Sequence, residues 1–274
     1  TQPPHAGHLV NHMADAHIPA GLAFYDEDPS IFERAVRVAK TQLAAKSVYY
    51  RYGLSSQGTS YGVTHYQADM RILAELYKST DTDLFPRMPF MAEAGRYWVY
   101  ARRPDGQFLR NGDDWLDHRP QNSRRVTERR PEGAYPYFDT SGTWTSPALS
   151  EMLLYAAVRY DDPILFNEYL LVRDLDRAWT AITDILWRDP ERQAASPESL
   201  PTLRWSGGPA GTLMFRTGWG GADDVVGMFK AMPLYVKNHD HLDRLSFQIY
   251  CRGALAIDSG EYEASLSGYD SDHW

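Results

Sequence analysis

The chain has 274 residues, 43% hydrophobic and 13% aromatic, enough to bury a large core in one large domain or two and too apolar for a disordered polymer. A net charge of −8 excludes a general nucleic-acid binder, which needs a clustered basic surface. No run of about 18 apolar residues is present to span a membrane as a helix, and Cys251, the only cysteine, excludes an intrachain disulfide. The sequence starts at Thr1 without a signal peptide, which reads as a processed form or a fragment.

In chain order, residues 5–17 hold four histidines, His5, His8, His12 and His17, before an apolar stretch from Pro19 to Tyr25. Asp26-Glu27-Asp28-Pro29 is a helix-start signal, a side-chain acceptor for free N–H groups followed by proline. The helix it predicts carries Ile31, Phe32, Ala35, Val38, Ala39 and Leu43 at helical spacing. Residues 53–62 form a small-residue loop that presents Tyr61, and a second helix follows with Tyr66, Met70, Leu73, Leu76 and Tyr77 on one face. Arg102-Arg103-Pro104-Asp105-Gly106 marks a turn. From Arg102 to Arg130 eight arginines face five acids, a cationic patch suited to a small or polymeric anion, or else a solvated loop. Residues 110–143 have no clear period, as expected of a functional or mobile loop.

Helical patterns resume at 147–160 and 163–187, where Phe166, Tyr169, Trp179 and Trp187 read as core. From about 190 the character changes. Pro197, Pro201 and Gly207-Gly208-Pro209 separate strand-like runs at Leu213–Phe215, Val225–Met232, Leu245–Cys251 and Leu255–Ile257. Helices first and strands second predict an α+β chain of two units with a boundary near 198, residues 1–198 and 199–274, and not an alternating parallel sheet.

The densest constellation is Asn238-His239-Asp240-His241-Leu242-Asp243, next to a run in which Leu245, Phe247, Ile249 and Cys251 alternate with polar residues. His239 and His241, two apart on an extended chain, project to one side. Asp258 ends the next apolar run, beyond the turn Arg252-Gly253. Imidazoles with a carboxylate suit a divalent metal such as zinc, whereas the bland alternative is a solvated His pair and an Asp-Ser-Gly turn.

Gly7-His8, Tyr25-Asp26-Glu27, Gln57-Gly58-Thr59-Ser60-Tyr61, Arg102 to Gln107, Arg216-Thr217-Gly218-Trp219-Gly220, Asn238 to Asp243, Phe247 to Tyr250 and Ile257-Asp258 together resemble, in order, the heparinase II/III-like polysaccharide lyases, with heparinase II as the nearest member. The resemblance implies an incomplete α/α toroid followed by the start of an antiparallel β-sandwich, as an internal portion of a longer protein. It implies catalytic roles for His8, Asn11, Tyr61 and His239, and a structural zinc on His241 and Asp258 whose third protein ligand lies past Trp274. It further implies an acidic polysaccharide partner, bound with help from Arg102, Arg103 and Arg110, and a periplasmic or secreted location, and it leaves a homodimer open. Two positions depart from heparinase II. Asn11 stands where that enzyme has a glutamate, as it does elsewhere in the superfamily, and His65 stands where an arginine is expected. An alternative register pairs His12 with Asp15.

The expected reaction is β-elimination. A base removes the C5 proton of a uronate, and the bond to the 4-oxygen breaks. The proton is very weakly acidic beside a charged carboxylate, so a neutral amide (Asn11) and an imidazole (His8) would quiet that charge. Tyr61 would take the proton and return one to the leaving oxygen, while His239 would serve the C5 epimer from the other face. Taken singly, Tyr61 is one of 18 tyrosines, Asn11 a helix cap and His8 a surface residue. The competing readings are a toroid glycoside hydrolase, with Asp15, Asp69 or Asp113-Asp114 as its acids, and a carbohydrate-binding protein without turnover.

Overall fold

The computed structural model describes residues 8–55, 57–59, 61–106, 108–109, 111–112, 145–173, 178–208, 211–232 and 243–256. The helices in it are α1 (His8–Ala23), α2 (Pro29–Tyr50), α3 (Tyr61–Ser79), α4 (Phe90–Ala101), α5 (Thr145–Arg159), α6 (Pro163–Val172) and α7 (Ala178–Trp187). Five strands follow, β1 (Leu203–Ser206), β2 (Thr212–Arg216), β3 (Val226–Lys230), β4 (Phe247–Tyr250) and β5 (Ala254–Ala256). The change from helix to strand falls between Trp187 and Leu203.

The start signal at Asp28-Pro29 works as predicted: Asp28 caps α2 by accepting from Ser30 N at 3.0 Å. The same device opens α6, where Asp162 accepts from the N–H groups of Ile164 and Leu165 just before Pro163 takes the first turn. The helical pattern at 163–187 is two helices, because α6 stops at Val172 and α7 starts at Ala178.

Side-chain contacts give the helix directions. Gly21 meets Phe32, and Ile18 shares a cluster with Ala35 and Ala39, so α1 and α2 run antiparallel. Tyr50 meets Tyr66, Lys46 meets Asp69, and Ala39 clusters with Ile72 and Leu76, so α2 and α3 also run antiparallel. Therefore α1 and α3 are parallel and start at the same end. Trp98, near the end of α4, donates to the Thr59 carbonyl at 3.0 Å, which brings the end of α4 to that same end.

Residues Gly62 to Met70 of α3 are all buried, so this helix sits at the centre of the helical part. Its buried polar groups need partners. Asp69 accepts from Lys46 Nζ at 2.9 Å on each oxygen and from Tyr50 Oη at 2.6 Å. Glu151 of α5 accepts from Gln67 at 2.6 Å, from Arg71 at 2.6 and 2.8 Å, and from Tyr155 at 2.7 Å. One apolar cluster, with Trp98, Tyr66, Leu153 and Phe166 among its members, runs through α2 to α6 and reaches Met214, Val226, Met228 and Tyr250 of the sheet.

The sheet is an antiparallel meander in the order β1-β2-β3-β4-β5. Its register puts Arg204, Met214, Met228 and Gln248 in one row of the face turned to the helices, with Ser206, Thr212 and Lys230 in a second and Arg216, Val226 and Tyr250 in a third. The other face carries Leu203, Trp205, Leu213, Phe215, Phe229, Phe247 and Ile249, with Trp205 58% and Phe247 56% exposed. At Gly227 a Cβ would run into the Phe215 ring lying across it, so any larger residue there has to push that ring aside. Cys251, half-buried and in no disulfide, follows β4, with its thiol 3.8 Å from the Asp223 carbonyl.

The toroid and the sandwich are finer than what is seen: helices, then one antiparallel sheet. Sequence periodicity gave no sign of α4 or β1. Helix α4 is only 12 residues long and its second half, Tyr97 to Ala101, is buried on every side, and β1 is four residues long with its large apolar side chains on the exposed face.

Candidate functional site

Tyr61 is the first residue of α3 and is half-buried. The loop before it is clamped on two sides. Thr59 N donates to the Asn111 carbonyl at 3.0 Å, Asn111 N returns a bond to Thr59 Oγ1 at 3.3 Å, and Asn111 Nδ2 donates to Tyr97 Oη at 2.8 Å. From the other side, Gly62 N donates to the Gln57 carbonyl at 3.1 Å, and Trp98 holds the Thr59 carbonyl. Gly58 has φ +71° and leaves no room for a Cβ, which would overlap the Asn111 carbonyl. Chain and environment thus hold the Tyr61 backbone in one place. The sequence shows the glycine but not Asn111, its partner 52 residues from Thr59.

His8 and Asn11 lie three residues apart in α1, a spacing that shares a helix face. The side chains of α1 are described from Ala16 onward. Ile18 clusters with Ile72 and Leu76, so ten residues back along α1 and eleven back along α3 lead to His8 and Tyr61 at comparable heights. The Asp15 side chain is outside the described residues, as are Arg110, Asp113, Asp114, His239, His241 and Asp258, so the expected metal ligands and the second base are not placed. Among the described residues no group of three or more His, Cys, Asp or Glu is set to hold a metal ion. His65, one turn beyond Tyr61, is buried in the core at 1% exposure.

Arg102 and Arg103 follow the end of α4, at the Tyr61 end of the helices. Arg102 pairs with Glu168 of α6, whose carboxyl is raised by burial, a shift that Arg102 opposes. Arg103 pairs with Asp105 at 2.6 Å and lies 4.6 Å over the Tyr250 ring, joining the helices to β4. Neither is a loose surface cation; both hold the seam between helices and sheet.

Asp69, an acid that a hydrolase reading would use, is wholly buried and tied to Lys46 and Tyr50. Burial pulls the Lys46 ammonium down, with Asp69 opposing, and pushes the Tyr50 phenol well up. Asp69 therefore serves the core and faces no opening.

No family model matches the chain, and no curated protein does. Among solved structures it is similar to heparan sulfate lyase HepC from Pedobacter heparinus (15% identity, TM-score 0.54, covering 94% of this chain and 33% of that one) and to a mutant of the same lyase (15%, 0.53, 93% and 33%). It is also similar to heparinase III, the BT4657 gene product with methylated lysines (16%, 0.53, 97% and 34%). At these identities the likeness is one of fold. The chain spans about a third of the length of these structures. They support a heparinase-like fold and not heparinase II in particular.

Proposed function

We propose that the chain is the central part of a polysaccharide lyase that cleaves a uronate-containing, glycosaminoglycan-like polymer by β-elimination. The observation that carries this reading is the clamped loop that holds Tyr61 where α1 and α3 begin and α4 ends. The fold shared with heparan sulfate lyases supports it. Tyr61 is the base that takes the C5 proton. The electron pair forms the C4–C5 double bond, the C4–O bond breaks, and the phenol returns the proton to the leaving oxygen. Asn11 and His8 donate to the uronate carboxylate and stabilise the enolate-like charge as it develops. His239 is the base for the opposite C5 epimer, and Arg102, Arg103 and Arg110 supply the positive field that draws the acidic chain in. His241 and Asp258 are a donor set that suits zinc, which when bound ties strands together and takes no part in the reaction.

The test is incubation with heparin, heparan, chondroitin, hyaluronan and alginate while following the ultraviolet absorbance of an unsaturated uronate. Tyr61→Phe is expected to lose about 10²-fold or more of turnover; full turnover in that variant would sink the mechanism. A new reducing end without the absorbance indicates a hydrolase, and neither product indicates a binding protein.

A further inference from the structure

A pocket of about 300 Å³ opens at the seam between the helices and the sheet, and its wall includes Arg102, Arg103 and Arg216 against Glu198 and Asp224. Arg102 and Arg103 already have carboxylate partners. Arg216 does not: among the described residues no carboxylate lies within ion-pair distance of it, and its protein contacts are made by Nε, which donates to the Gly218 carbonyl, and by the flat guanidinium face, 3.9 Å over the Trp219 ring. Trp219 is itself held, with Nε1 donating to the Leu200 carbonyl at 3.2 Å and the ring edge-on to Tyr100. Asp224, the nearby acid, accepts from the N–H groups of Gly220 at 3.1 Å and Gly221 at 2.9 Å, which occupies it in closing the turn. What remains is a rigid, stacked guanidinium whose two Nη groups donate to no described residue and which borders an opening.

We propose that this pocket is a binding site for an oxyanion, a carboxylate or a sulfate, with Arg216 as its bidentate anchor. Burial, and next the Arg102 guanidinium, push Arg216 down to about 10, while Asp224 and then Glu168 oppose the shift from beyond ion-pair distance; a bound oxyanion adds a countercharge in direct contact. Arg102 and Arg103, which line the pocket, also belong to the cleavage proposed above, but Tyr61 does not line it, so sulfate binding lost in Arg216→Gln and turnover lost in Tyr61→Phe are separate readouts.

The experiment is calorimetric titration and thermal unfolding of the chain with sodium sulfate against sodium chloride at matched ionic strength, for the parent, Arg216→Lys and Arg216→Gln. Sulfate is expected to bind the parent, to bind Arg216→Lys about tenfold more weakly, because lysine keeps the charge without the fork or the stack, and to leave Arg216→Gln unresponsive. Unfolding in chloride shows which variants are folded, and Arg216→Lys decides the matter if Arg216→Gln is not. A second arm adds an unsulfated glucuronate oligosaccharide. Displacement of sulfate assigns the site to an acidic polymer, and Arg216-dependent sulfate binding without displacement assigns it to a free anion; either outcome supports an oxyanion site. Responses equal in parent and both variants, or no Arg216-dependent response to either probe, overturn it.

Discussion

Among the helices the residues sealed from water are mostly apolar, and the buried charges at the centre are paired, Lys46 with Asp69 and Glu151 with the part-exposed Arg71. In the sheet the face turned to the helices carries Arg204, Thr212, Arg216, Lys230 and Gln248, while Leu203, Trp205, Phe215, Phe229 and Phe247 line the face turned away. The sheet is docked on the helices by Met214, Val226, Met228 and Tyr250, which join the shared apolar cluster, and by polar contacts such as Arg204 to the Glu93 carbonyl at 2.8 Å, and it leaves its other side without a cover among the described residues. Leu203, Trp205 and Phe247 are each more than half exposed on that side, and clustered exposed apolar side chains mark a place where something else packs.

The contrast is open to direct attack. Lys46→Met strands the Asp69 carboxylate in the core and is expected to cost about 3–5 kcal/mol in denaturant unfolding, with part of the loss recovered in Lys46→Met/Asp69→Leu. On the sheet, Met228→Ala on the inner face is expected to cost about 2–5 kcal/mol. Trp205→Ser on the outer face is expected to stay within about 0.5 kcal/mol and to lower self-association and binding of a hydrophobic dye. Equal costs at the two positions would mean that both faces are buried in solution. Gly58→Ala is expected to cost about 1–2 kcal/mol from its left-handed backbone alone, read as a lowered Tm, and to reduce any turnover through Tyr61 by displacing the loop.

The smallest effect is one of pH. The folded-state pKa of Glu168 lies above the unfolded one, so folding takes up a proton between roughly 4.3 and that raised value. The stability difference between the parent and Glu168→Gln should therefore favour the parent most below that window and shrink as pH rises through it. A difference that grows with pH would show that the Arg102 pair outweighs burial.

The sequence carried the α2 start because Asp28-Pro29 acts locally, and it carried the apolar faces of α2 and α3 because one side of each meets the core. Strands β2 to β5 were visible as apolar runs. What it did not carry depends on distant partners: the Asn111 clamp on the Tyr61 loop, the pairing of Arg102 with Glu168, and the pocket around Arg216, whose Arg-Thr-Gly-Trp motif was visible without any role. Asp69 shows the converse. Its type made it a candidate acid, and only burial beside Lys46 shows it to be a core residue.

The meander has a kinetic corollary. Each strand bonds to the next one along the chain, whereas the Glu151 network closes with Gln67 across 84 positions. Hairpins of short separation zip in microseconds, and distant pairings must first overcome loop entropy. As the polypeptide leaves a ribosome, Gln67 and Arg71 of the central helix α3 therefore wait for α5, although Asp69 can meet Lys46 and Tyr50 earlier, while the strands can pair almost as soon as each is made.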